Sequence, residues 1–134
     1  LIIWLTKFVS IVPLLIVNLM IVRNFTTKFI IMNIADLEQR EIIKGFKGRF
    51  IHTESFTIAF WEIDAGSELP LHSHFHEQTT QVTEGKFEMT INGETNVFTP
   101  GTILSIPSDI EHKGRALTNC KITDIFSPVR EDYK

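Results

Sequence analysis

Three of the chain's five histidines fall within five residues, as His72, His74 and His76, and Gln78 follows at the next even position. Side chains alternate faces along an extended chain, so these four even-numbered groups are expected on one face. Each imidazole needs a partner when it is buried, and a divalent cation is a partner that several can share. The i, i+2 spacing makes His72 and His74 the leading ligand candidates. Gln78 offers a carbonyl oxygen on the same face, or is an ordinary barrel-lining amide, while Glu77 points the other way. His76 shares the parity but would crowd a third imidazole beside the first two, so it is expected in the pocket wall or behind the ligands. His112 lies far along the chain, just after a proline turn, where a returning strand could deliver it as the remaining ligand. His52 has no such neighbour and reads as a surface or hydrogen-bonded structural histidine.

A second reactive group lies near the C-terminus. In Lys121 to Ser127, Ile122, Asp124 and Phe126 share one face, while Lys121, Thr123 and Ile125 share the other. If Phe126 faces a core, so does Asp124, and a carboxylate there is costly unless it is paired or used. Arg130 follows after Ser127-Pro128-Val129. An Asp124 to Arg130 ion pair that holds down the tail is therefore one reading, and a working carboxylate is the other.

The elements that must position these groups read as strands. The length of 134 residues suits one domain with a real core. Eleven Phe, many β-branched residues and Gly or Pro turn markers after residue 60 favour an all-β domain. A short helix is expected over Asn33 to Arg40, capped by Asp36 with Leu37 on its apolar side. Gly48 should bound a strand over Arg49 to Thr53, followed by strands over Ser55 to Asp64 and Gln78 to Glu84. Lys86 to Ile91 alternates cleanly, and Asn92-Gly93 predicts a hairpin back through Glu94 to Phe98. Thr102 to Ile106 and Lys121 to Ser127 complete the set, which suits a closed antiparallel barrel or jelly roll.

Charge narrows the function further. All sixteen acids lie at or after Asp36, and three of the thirteen cations, Lys7, Arg23 and Lys28, precede it. Residues 32–134 are thus net acidic and carry no basic patch with interleaved aromatics, which excludes a nucleic-acid binder by charge. The lone Cys120 forms no internal disulfide, reads as a structural thiol, and asks for no oxidising compartment, so the domain is expected to be cytoplasmic. Residues 1–31 are an apolar extension set apart from the domain at 32–134. Met32 opens a sequence resembling an ordinary soluble N-terminus, which favours an upstream extension. Leu1 to Val22 is also long enough to serve as a membrane anchor, and it is a poor secretory signal.

The stretch Gly66 to Gly85 resembles the first motif of the cupin family. Gly66, His72, His74 and Gly85 match, and Gln78 stands where that motif has Glu. Pro100-Gly101, Ile106-Pro107 and His112 resemble the second motif in looser form. The resemblance implies a double-stranded β-helix, a jelly-roll barrel, with one divalent metal ion held by His72, His74, Gln78 and His112. Nickel, zinc, manganese and iron are all compatible with that ligand set. A neutral amide in place of the carboxylate favours Lewis-acid polarisation over oxygenase chemistry. The tail Asp124-Ile125-Phe126-Ser127-Pro128-Val129-Arg130-Glu131-Asp132 is similar to the ending of KdgF-type cupins of pectin and alginate degradation. Those proteins open the ring of 4,5-unsaturated monouronates. The likeness implies a small-molecule uronate substrate, catalytic roles for Asp124, Phe126 and Arg130, and pairing of two copies through edge strands. Another sugar isomerase, a dioxygenase or a non-catalytic sugar- or metal-binding module on the same barrel are the alternatives.

Overall fold

Period-two burial organises the domain, and the last long strand shows it most cleanly. In β10 (Cys120–Ser127), Cys120, Ile122, Asp124 and Phe126 are buried, while Lys121, Ile125 and Ser127 are exposed. The structure is a computed structural model and describes residues 31–134. The other strands are β1 (Arg40–Ile43), β2 (Phe46–His52), β3 (Thr57–Ile63), β4 (Glu68–His72) and β5 (Glu77–Glu84). After them come β6 (Phe87–Ile91), β7 (Glu94–Phe98), β8 (Ile103–Ile106) and β9 (His112–Ala116). They form a six-stranded sheet in the order β1-β2-β3-β10-β5-β8 and a four-stranded sheet in the order β4-β9-β6-β7. Every strand pairing is antiparallel. The result is the all-β jelly roll that the alternation predicts.

The two inner faces share one core. Phe46, Trp61, Ile63, Val82 and Ile122 come from the six-stranded sheet, and Phe87, Met89 and Ala116 from the other. Phe46 joins them by edge-to-face contacts with Trp61 and Phe87, at ring-centroid distances of 6.4 and 6.3 Å. Cys120 is buried in this core, and its Sγ lies 3.2 Å from the carbonyl oxygens of both Lys86 and Thr118. That is the environment of a structural thiol.

The N-terminal part of the domain differs from its expected form. In place of a helix over Asn33 to Arg40 there is one 3-10 turn, Ile34–Asp36. Asn33 caps it, accepting from the Ala35 amide at 2.9 Å, so Asp36 is not the cap and Leu37 merely closes the turn. Arg40 then enters β1, a strand without alternation in its sequence, which forms by pairing with β2 at the sheet edge. Gly48 lies inside β2 instead of bounding it. A Cβ there would run into the rings of Phe50 and Trp61, so the glycine serves close packing within the strand. The extension expected over 1–31 lies outside the described residues except for Ile31. Among the described residues no helix is long and apolar enough to cross a membrane.

The turn that ends β5 depends on a single residue type. Gly85 has φ +85°, and a Cβ there would collide with the Asn119 carbonyl oxygen and crowd Cys120 Sγ. Gly85→Ala is expected to destabilise the domain by about 2 kcal/mol or more. A lowered urea midpoint at unchanged slope would bear this out, and an unchanged midpoint would contradict it.

Candidate active site

The histidine cluster is assembled at a crossing between the sheets. β4 ends at His72 and β5 begins at Glu77, so His74 and His76 lie in the link between strands of different sheets. The expectation of one extended strand carrying His72, His74, His76 and Gln78 on a common face is therefore corrected. His72, His74 and Gln78 converge because the chain turns between two strands, and His76 turns away from them. His72 sits opposite His112 in the β4–β9 ladder, with ring centroids 4.2 Å apart. The His74 ring lies 5.1 Å from His112 and 5.7 Å from His72. One nitrogen from each of the three rings falls within 4.8 Å of the others.

Hydrogen bonds orient these rings. The Nδ1 atoms face carbonyl oxygens: Pro70 for His72 at 2.9 Å, His76 for His74 at 3.1 Å, and Ile110 for His112 at 2.8 Å. A carbonyl only accepts, so in a neutral ring the proton sits on Nδ1 and Nε2 keeps a lone pair. Burial, with the nearby Arg130 charge and His112 contributing, pushes the His74 pKa down to about 4, and burial lowers His112 as well. His112 Nε2 is buried and has no hydrogen-bond partner. His74 Nε2 meets Gln78 Oε1 at 3.1 Å. The amide nitrogen of Gln78 donates to Thr80 Oγ1 at 2.9 Å, so its oxygen is the end turned to His74. Two acceptors facing each other beside an orphaned third suit a divalent cation, which His72, His74, His112 and Gln78 could hold between them.

The carboxyl group lies on the opposing sheet. Asp124 is buried on β10 and accepts from Trp61 Nε1 at 2.8 Å and from Thr80 Oγ1 at 2.6 Å. Burial raises its pKa to about 6, against the opposing pull of those donors, Gln78 and the Arg130 charge. The Asp124 to Arg130 ion pair, one of the two readings of this carboxylate, is not formed. Arg130 instead grips Asp132 with two bonds, Nε to Oδ1 at 2.9 Å and Nη2 to Oδ2 at 2.7 Å. Its guanidinium lies 4.8 Å from the Phe126 ring centroid and 4.1 Å from that of Tyr133. Trp61 and Thr80 are nearer and properly aimed, and they satisfy the carboxyl without a charge.

His72, His74, Gln78 and His112 line the same cavity as Asp124, Phe126 and Arg130, with a volume of about 60 Å³. His76 is buried outside it, and its Nε2 lies 3.3 Å from the Val129 carbonyl, fixing the turn that leads to Arg130. His52 bonds Thr57 Oγ1 at 2.9 Å, in keeping with a satisfied structural histidine. Trp61, Thr80 and Tyr133 are among the lining residues not singled out from the sequence. Thr80 carried a signal, since it shares its parity with Gln78 on one strand. Trp61 and Tyr133 carried none, because nothing local says which buried aromatic borders a polar group.

The raised Asp124 pKa fixes a sign. Between about pH 4 and about pH 6 the folded protein holds a proton that the unfolded chain has lost. The contribution of this group to stability therefore falls as pH rises through that window. The depressed histidines act in the opposite sense, so the comparison with Asp124→Asn isolates the carboxyl. In metal-free protein the variant is expected to gain stability relative to wild type across that interval, read from urea midpoints at several pH values. A difference independent of pH would contradict it.

Residues 59–126 match the family described as Cupin domain. A search of curated proteins finds no match. Among solved structures, the chain is similar to an RmlC-like cupin from Shewanella frigidimarina, at 27% identity and a TM-score of 0.75, over 80% of this chain and 97% of that one. It is also similar to KdgF from Halomonas sp., at 26% identity and a TM-score of 0.74, over 81% of this chain and 100% of that one. Ectoine synthase from P. lautus shares the fold at 21% identity and a TM-score of 0.69, over 76% of this chain and 80% of that one. These names span different chemistries, so the fold by itself selects no reaction. With more than half of its length matched by the family pattern, the chain belongs to the cupin family.

Proposed function

We propose that the protein is a metal-dependent enzyme that opens the ring of 4,5-unsaturated monouronates, giving the linear keto form. The observation that carries this reading is the buried Asp124 carboxyl, which borders the same cavity as the three imidazoles and Arg130. A likeness to KdgF from Halomonas sp. at 26% identity supports it. The reaction is an isomerisation. The anomeric hydroxyl loses its proton, the bond from C1 to the ring oxygen breaks, and the resulting enolate takes a proton at C4.

The chain's own groups suit those demands. Asp124, with a pKa near 6, can accept and return a proton at neutral pH. Arg130 places a cation at the cavity wall, where it can bind the uronate carboxylate, and Nη1 makes no hydrogen bond among the described residues. Phe126 offers an apolar face beside the sugar ring, steadied by the guanidinium stacked on it. His72, His74, Gln78 and His112 would hold the divalent ion. When bound, such an ion would supply Lewis-acid polarisation of a substrate oxygen.

Tyr133 also lines this cavity, in the C-terminal segment that carries Arg130. It sits in the 3-10 turn Glu131–Tyr133, and Arg40 from β1 donates to its carbonyl oxygen.

A nuclear magnetic resonance time course on unsaturated galacturonate tests the reading. The metal-loaded chain is expected to accelerate appearance of the linear keto form over the spontaneous rate. Asp124→Asn should lower kcat by about 10²- to 10⁴-fold, and prior treatment with chelator should abolish the acceleration. Turnover undiminished in Asp124→Asn would remove Asp124 from the chemistry. No acceleration by the wild type would remove the reaction.

A further inference from the structure

We propose that Thr80 is a positioning residue whose hydroxyl decides which end of the Gln78 amide faces the histidines. The proposal rests on the reading of Gln78 as a metal ligand. Thr80 is 2% exposed and lies on β5, directly opposite Asp124 in the β5–β10 ladder and two residues from Gln78 on the same face. A hydroxyl has one proton to give and lone pairs to receive with. Here the proton goes to Asp124 Oδ1 at 2.6 Å, and a lone pair takes Gln78 Nε2–H at 2.9 Å. Trp61 Nε1 holds the other carboxylate oxygen at 2.8 Å, so Asp124 is fixed at both oxygens and gives the chain of bonds a fixed direction. Indole and hydroxyl both donate toward the carboxylate, and the amide nitrogen then donates to the hydroxyl.

The alternative amide orientation shows what this achieves. Rotated by half a turn, Gln78 would offer its N–H to the lone pair on His74 Nε2 and satisfy both groups without a cation. It would then have no oxygen to offer an ion. The Thr80 lone pair disfavours that orientation, because it would face the amide oxygen across a bond whose proton is already committed to Asp124. Thr80 thus keeps Gln78 Oε1 turned toward His74 Nε2, at 3.1 Å. Threonine also suits the task because its branched Cβ restricts χ1 and so fixes the hydroxyl.

The test is a double-mutant cycle on the full chain, read as Ni²⁺ affinity by competition with a chromophoric chelator at one pH. Thermal unfolding of the metal-free proteins is followed in parallel. Thr80→Val is expected to weaken Ni²⁺ binding by about ten- to a hundredfold, and Thr80→Ser to restore most of it. In a Gln78→Ala background, Thr80→Val should cause no further loss. Equal affinity in Thr80→Val and wild type would overturn the proposal. So would an equal loss with and without Gln78, since that marks an effect on the fold alone. If Thr80→Val does not fold, Thr80→Ala takes its place in the same cycle. Absence of Ni²⁺ binding by the wild type would overturn this proposal together with the metal reading. A cycle that behaves as expected alongside absent uronate turnover would uphold Thr80 and remove only the reaction.

Discussion

At the wall of the cavity, His74 Nε2 and Gln78 Oε1 present lone pairs to each other across 3.1 Å, with His112 Nε2 buried and unpartnered nearby. A protein does not gain by bringing acceptors together in a desolvated space unless a positive charge joins them. Much of the surrounding structure maintains this arrangement. Backbone carbonyls of Pro70, His76 and Ile110 hold the three imidazole protons on the far side of the rings, and Thr80 holds the amide hydrogens of Gln78. Burial keeps His74 and His112 neutral, so their lone pairs stay available at ordinary pH.

The two sheets divide the labour. β4 and β9 of the smaller sheet carry His72 and His112 as cross-strand neighbours, while Gln78 and Asp124 stand on β5 and β10 of the larger one. Two links pass from one sheet to the other at this point, the one that carries His74 and the one between β8 and β9 that leads to His112. The imidazoles and the carboxyl thus meet across the barrel interior, which is mostly apolar. There the field between charged or polarised groups is little screened by water. The same burial that raises the Asp124 pKa depresses that of His74, as expected when a low-dielectric wall disfavours the charged form of each.

The residues of the site were legible because parity and spacing survive any twist of the sheet. Ile122, Asp124 and Phe126 had to share a face, and Asp124 had to be buried if Phe126 was. What could not be read were relations across strands. The partners of Asp124 lie in β3 and β5, 63 and 44 residues away, and no local pattern distinguishes an indole donor or a threonine hydroxyl from the nearby Arg130. The helix expected over Asn33 to Arg40 failed for a related reason. Arg40 is drawn into a strand by an edge that forms only when β2 is already in place. The convergence of His72 and His74 was anticipated from the wrong geometry, since a regular strand and a turn between strands both bring i, i+2 side chains together.

The position of β10 sets how firmly each part of the site is held. It is flanked on both sides, by β3 and by β5, so the amides around Asp124 can open to solvent only if the middle of the larger sheet parts. Arg130 and Tyr133 follow it in a segment held mainly by side-chain bonds and one short 3-10 turn. Amide hydrogen exchange should therefore divide the site into a slow half bearing the carboxyl and a fast half bearing the guanidinium. The group that would move protons stands on a strand paired along both edges, and the cation that would bind a carboxylate stands beyond that strand's end.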